Sequence, residues 1–182
     1  MSAPADPALR RKAGQRGFTL VEVLVAVLVV SIGLLGVARL VLAAVKANDS
    51  AYLRGQAAAL AYSIVDQMEA NRAAAVAGNY QVAFGAYANP GFTCEGAGNT
   101  CTPAQIAQYD LYMWKQQLSA SSAVTTGALP SGDGQIVIAF PATGQVTATI
   151  TVEWDDSVAE WAFGTAKTVT PALTTFTLES AL

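Results

Sequence analysis

Gly17-Phe18-Thr19-Leu20-Val21-Glu22 opens the stretch that decides the fold, and an apolar run to Ala38 follows it. Phe18–Ala38 holds one ionisable group, Glu22. As a helix, this segment would span about 31 Å, close to the hydrocarbon thickness of a bilayer. A carboxylate in such a segment is unfavourable unless something holds it there. Thr19-Leu20-Val21-Glu22 fits a capping box, with Thr19 as N-cap and Glu22 at the third helical position, and a first-turn carboxylate suits the helix dipole.

Residues 1–17 read as a targeting leader. They carry Arg10, Arg11, Lys12 and Arg16 against Asp6, include Pro4, Pro7 and Gly14, and show no apolar periodicity. Basic residues close to the apolar run keep the N-terminus cytoplasmic and export the rest. The chain has 182 residues and a formal net charge of −3. The leader holds four of the 10 basic and one of the 13 acidic side chains, so the remainder carries −6. That balance argues against nucleic-acid binding by this chain through a basic face. There is no histidine, which removes the commonest general base and metal ligand. Asp155-Asp156 and Asp133 between two glycines read as turn acids, and Trp114, Trp154 and Trp161 as core. No catalytic residue, metal site or cofactor is expected, and the chain is read as a non-enzyme.

Three readings of the apolar run compete. A secretory signal has an apolar core of about 7–15 residues with a small-residue cleavage site after it, whereas this run is longer and no such site follows Ala38. A permanent single-pass anchor fits the length. In the third reading, cleavage falls before the run, after Gly17. The basic leader followed by Gly17, Phe18, the apolar residues and Glu22 at fixed spacing resembles the class III (prepilin) signal. Resemblance to type IV pilins implies cleavage between Gly17 and Phe18, N-methylation of Phe18, and pairing of Glu22 with the terminal amine of a neighbouring subunit, which sets axial register. Gly33 and Gly36 lie in the same run, where they serve close packing or bending, or merely reflect how common glycine is in membrane helices.

Helix signals continue past Arg39. From Leu40 to Ala77 there is no proline and one glycine, Gly55. Leu53, Ala57, Leu60, Ala61, Ile64 and Met68 form one apolar face. The spacing predicts a single helix from about Phe18 to Val76, ended by Gly78-Asn79. Residues 80–101 read as loop. Cys94 and Cys101, in an exported domain, are expected to form a disulfide. Thr102-Pro103-Ala104-Gln105 starts a helix over about 103–118, with Ala107, Leu111, Trp114 and Leu118 facing the core. Leu129–Gly134 reads as a turn. The period then becomes two. Ile136, Ile138 and Phe140 alternate, or run continuously with Val137, as a strand. Val146, Ala148, Ile150, Val152 and Trp154 alternate with Thr147, Thr149, Thr151 and Glu153. Asp155-Asp156-Ser157 turns the chain, Glu160–Phe163 reads as a short third strand, and Leu173–Glu179 as the last, giving strands over about 135–179.

The expected fold is α+β and pilin-like: a long N-terminal helix, membrane-spanning in its first half and amphipathic in its second, packed against a small antiparallel sheet head. The domains are a removed leader 1–17, a helix 18–77 spanning the membrane over about 18–38, and a periplasmic head 78–182. Met68–Ala74 with Tyr80, Asp110–Trp114 leading to Leu129–Gly132, and Val152–Asp156 are similar to PilV-type minor pilins (type IV pilus modification proteins). That resemblance implies a structural subunit that primes type IV pilus assembly in a minor-pilin complex at the tip. Its partners would be other minor pilins, the major pilin, the inner membrane and the processing prepilin peptidase/N-methyltransferase. Its place would be the inner membrane, single pass, and then the pilus. The alternatives are a type II secretion pseudopilin and an uncleaved membrane-anchored binding module.

Overall fold

Helix α1 runs from Leu20 to Ala70. Its first turn is fixed by Thr19, whose carbonyl accepts from the backbone N–H groups of Glu22 and Val23. The computed structural model describes residues 17–96, 99–119, 128–142, 144–156 and 173–182. The leader up to residue 16, Trp161 and the expected strand Glu160–Phe163 lie outside them.

The chain divides into two units, Met1–Ala43 and Ala44–Leu182. In the first, every described residue is exposed, including Leu24, Leu28, Ile32 and Leu35. From Leu20 on, its residues lie in the helix that is long and apolar enough to cross a membrane. In the second unit, Ala57, Ala61, Ile64, Val65 and Met68 of α1 are buried, with Leu53 and Leu60 partly buried beside them.

The helix does not run unbroken to Val76, as its periodicity predicts. Asn71 interrupts it with φ −117° and ψ 46°, and helix α2 occupies Arg72–Val76. The Asn71 side-chain amide donates to the Pro103 carbonyl at 2.8 Å and the Tyr80 hydroxyl at 3.3 Å. Asparagine side chains offer the chain such alternatives to helical bonding. The turn still holds, because the Asn71 carbonyl accepts from the N–H groups of Ala74 and Ala75. Gly78 follows at φ +86°, a backbone conformation that favours glycine, and a Cβ there would sit 3.2 Å from the Phe140 ring.

Helix α3 spans Pro103–Leu118. Thr102 Oγ1 accepts from Gln105 N, and Gln105 Oε1 accepts from Thr102 N at 2.9 Å, a complete capping box. Its inner face presents Ala107, Leu111, Trp114, Lys115 and Leu118. The Trp114 indole N–H donates to the Leu60 carbonyl of α1 at 3.0 Å.

Strands β1 (Asp133–Ala139), β2 (Thr147–Asp155) and β3 (Leu173–Ala181) form an antiparallel sheet in the order β1-β2-β3. Ile136 pairs with Ile150, which pairs with Leu178. Along β2, Ala148, Ile150, Val152 and Trp154 are buried while the intervening residues are not. The outer edge of β1 is occupied by Val82, which exchanges two backbone bonds with Ile136.

Three boundaries differ from the sequence pattern. Asp133 and Gly134 belong to β1 rather than to the turn before it, and Asp155 closes β2 against Leu173 rather than turning the chain. Phe140 lies just past the end of β1 and is 55% exposed, so it does not continue the buried row of Ile136 and Ile138. The resulting long helix plus small antiparallel sheet is α+β and consistent with a pilin fold.

Candidate processing and assembly site

The structure sets Gly17, Phe18 and Glu22 on one exposed helix start. Phe18 is 81% exposed and Gly17 has no neighbour within 4 Å of a Cβ position. The Gly17–Phe18 bond precedes the first helical residue, Leu20, so its backbone is outside the helical hydrogen-bond ladder. Thr19 Oγ1 accepts from the Glu22 N–H at 3.3 Å, satisfying one of the donors a helix start leaves open. Glu22 is therefore fixed within the first turn of the apolar helix, with its side chain exposed.

Further along, Ser31 Oγ donates to the Val27 carbonyl at 2.7 Å, the back-bonding that satisfies a hydroxyl in an apolar helix. Gly33 and Gly36 would meet nothing within 4 Å if they carried a Cβ, so packing within one chain does not explain them.

The second unit holds different chemistry. Cys94 and Cys101 are disulfide-bonded, with Cα atoms 5.8 Å apart. Trp114 and Trp154 are buried in the core and form no open platform. Asp156 is tied to α1, its Oδ2 accepting from Ser50 Oγ at 2.9 Å. Among the described residues no group of three or more Cys, Asp or Glu is placed to hold a metal ion.

Two polar clusters escaped the sequence reading. In the first, the Tyr80 hydroxyl, fully buried, donates to Asp110 Oδ2 at 2.5 Å. Burial, then the bond to Asp110, pushes the Tyr80 phenol far above its usual range. Burial likewise raises Asp110, and the Tyr80 hydrogen bond opposes that rise. In the second, Lys115 Nζ donates to the carbonyls of Ala83 and Gly85 at 3.0 Å each and to Asp133 Oδ1. This ion pair floors a cleft of about 390 Å³ that Tyr87, Gln116, Ser119 and Ser131 also line. All three ammonium donors are used within the fold, so the cleft offers a ligand no free cation at that point. A lysine on a helix face and an aspartate beside glycines gave no signal of pairing, since the contact depends on how α3 meets β1.

Residues 12–38 match the family model for the prokaryotic N-terminal methylation motif. No curated protein and no solved structure matches the chain. The motif is a type IV pilin-like prepilin signal, and it supports the pilin superfamily, whether as a pilin or as a pseudopilin-like protein. It implies processing by a prepilin peptidase in a pilus-assembly context. The apolar N-terminal helix is consistent with membrane anchoring. Proteins bearing the motif are generally structural.

Proposed function

We propose that this chain is a minor pilin: a non-catalytic subunit that enters the inner membrane by its apolar helix, is cut after Gly17, and helps prime type IV pilus assembly in a complex at the tip. The observation that carries this reading is the match of residues 12–38 to the methylation motif, on a helix whose first unit is apolar and exposed throughout. Residues 1–17 are the discarded leader, 18–77 the helical stalk and 78–182 the periplasmic head. Phe18 becomes the methylated N-terminus. Glu22 meets the terminal amine of a neighbouring subunit, the cationic partner a carboxylate needs in apolar surroundings. The PilV-type assignment rests on the resemblance of Met68–Ala74, Asp110–Trp114 and Val152–Asp156.

Intact-mass measurement of the membrane-extracted protein tests the reading. A chain that begins at methylated Phe18 supports the pilin, and an intact leader would leave a membrane-anchored module instead.

A further inference from the structure

The cleft of about 390 Å³ between α3 and the start of β1 has a floor and walls of different chemistry. Lys115 and Asp133 form the floor, and both also bind the backbone around them. Lys115 donates to the carbonyls of Ala83 and Gly85, and Asp133 accepts from the N–H groups of Gly85 and Gly134. The floor is therefore neutral overall, and it ties the loop at 83–85 to α3 and β1.

Tyr87, Gln116, Ser119 and Ser131 line the rest. None of their side chains hydrogen-bonds to another described residue. Tyr87 is partly buried and packs against the core, which holds its ring in place. Ser131 has φ +49°, and among the described residues no other non-glycine has positive φ. Side chains rarely adopt that backbone conformation, and it clusters at binding sites. A phenol, a carboxamide and two hydroxyls thus surround one small space without partners.

This chemistry selects among ligands. An anion finds no free ammonium, because all three Lys115 donors are bonded. A cation finds Asp133 already accepting from three N–H groups. An apolar molecule would strip water from the wall groups without replacing its hydrogen bonds. A peptide strand docks through free backbone groups, and those of Gly85 are bonded inward. What fits is a neutral ring with several hydroxyls and one apolar face. We propose that this cleft binds a single saccharide ring, its C–H face against Tyr87 and its hydroxyls on Gln116, Ser119 and Ser131. Carboxamides and hydroxyls both donate and accept, as a sugar hydroxyl does. The volume lies at the small end of the range of about 300–1,000 Å³ for small-molecule sites. The site lies wholly within the second unit and stands apart from the pilin reading.

The test is saturation-transfer NMR on the full chain in a detergent without a sugar headgroup. The probes are D-glucose, D-galactose, D-mannose and N-acetyl-D-glucosamine, with inorganic phosphate and trialanine as competitors. At least one sugar should receive saturation at its ring C–H protons. Gln116→Ala and Ser131→Gly should each weaken its Kd about three- to tenfold, the loss of one hydrogen bond. Glycine accepts the positive φ, so Ser131→Gly removes the hydroxyl without straining the turn, and near-ultraviolet circular dichroism checks that each variant keeps its fold. Silence from all four sugars, a Kd unchanged in both folded variants, or displacement of the sugar by phosphate or trialanine overturns the proposal. None of these results bears on the cut after Gly17.

Discussion

Lys115 Nζ lies 2.5 Å from Asp133 Oδ1, with the lysine side chain only 5% exposed. The pair joins α3 to the start of β1, and Asp133 also accepts from the N–H groups of Gly85 and Gly134. Removing one member of a buried pair strands the other charge, at a cost of about 3–5 kcal/mol, while replacing both by apolar groups costs far less. Asp133→Ala is expected to destabilise the protein by about that amount, and Lys115→Met with Asp133→Ala to recover part of it. Urea unfolding of the detergent-solubilised full chain, followed by near-ultraviolet circular dichroism of the buried tryptophans, gives the comparison. A double variant less stable than Asp133→Ala alone would contradict it.

Asp110 supplies a pH dependence. Burial raises its folded pKa above the ordinary 3.8, so the folded state holds the proton more tightly than the unfolded one. Its contribution is fully present below 3.8 and is lost as pH rises through the folded value. Relative to Asp110→Asn, which does not titrate, the wild type should gain stability on acidification through that window. Tyr80→Phe deletes the hydrogen bond that lowers the Asp110 pKa, so the same gain should begin at a higher pH. Unfolding free energies of the three proteins across the acid range decide this. An unchanged onset in Tyr80→Phe would show that the bond does not hold the carboxylate down.

Two glycines on either side of Asp133 are kept small by contact. A Cβ on Gly134 would strike the Trp114 ring and lie 2.7 Å from Leu118 Cδ1. A Cβ on Gly132 would strike the Leu118 carbonyl oxygen. Overpacking costs about 1–3 kcal/mol where side chains can shift, and more where backbone must. Gly132→Ala is therefore expected to lower the unfolding midpoint more than Gly134→Ala, as a thermal scan of each variant would read.

The Cys94–Cys101 disulfide closes a short loop, with a sequence separation of 7. On the chain-entropy model a loop of this size contributes about 2–3 kcal/mol. Replacing both cysteines with serine should lower unfolding free energy by that amount, and reductant should destabilise the wild type but not the variant.

Glu22→Ala should leave the Gly17–Phe18 cut intact, since the bond lies before the helix, while reducing incorporation into surface filaments. Comparing intact mass with the amount of chain in the sheared fraction separates the two effects. Normal incorporation would exclude a register role for Glu22.

The sequence revealed those features that are set by short-range pattern. The stripe Leu53, Ala57, Leu60, Ala61, Ile64 and Met68 repeats at helical spacing, and Ala148 to Trp154 repeats at two, so burial on α1 and β2 follows from periodicity. Thr102 and Gln105 meet across a single turn, and Gly17 to Glu22 is a local motif. What stayed hidden depends on residues far apart in the chain. Asn71 breaks the helix because its amide reaches Pro103, 32 positions on. Asp133 enters a strand because Glu153 lies opposite it and Lys115 beneath it. Phe140 continues the alternation on paper, but the ladder ends at Ala139 and leaves the ring half out.

The bare flank of α1 from Leu20 to Val45, exposed at every large apolar residue, also bears on the reversibility of a filament built from it. Lipid tails are as apolar as leucine, so exchanging lipid for sister helices liberates no ordered water. Docking and release then become a near-even trade of one greasy surrounding for another. A polymer joined by such a segment has little tendency to run forward or backward unaided. In such a polymer direction would be imposed by work done on the subunits, and on withdrawal the apolar side chains would meet no solvation barrier, leaving Glu22 as the group that resists the return to lipid.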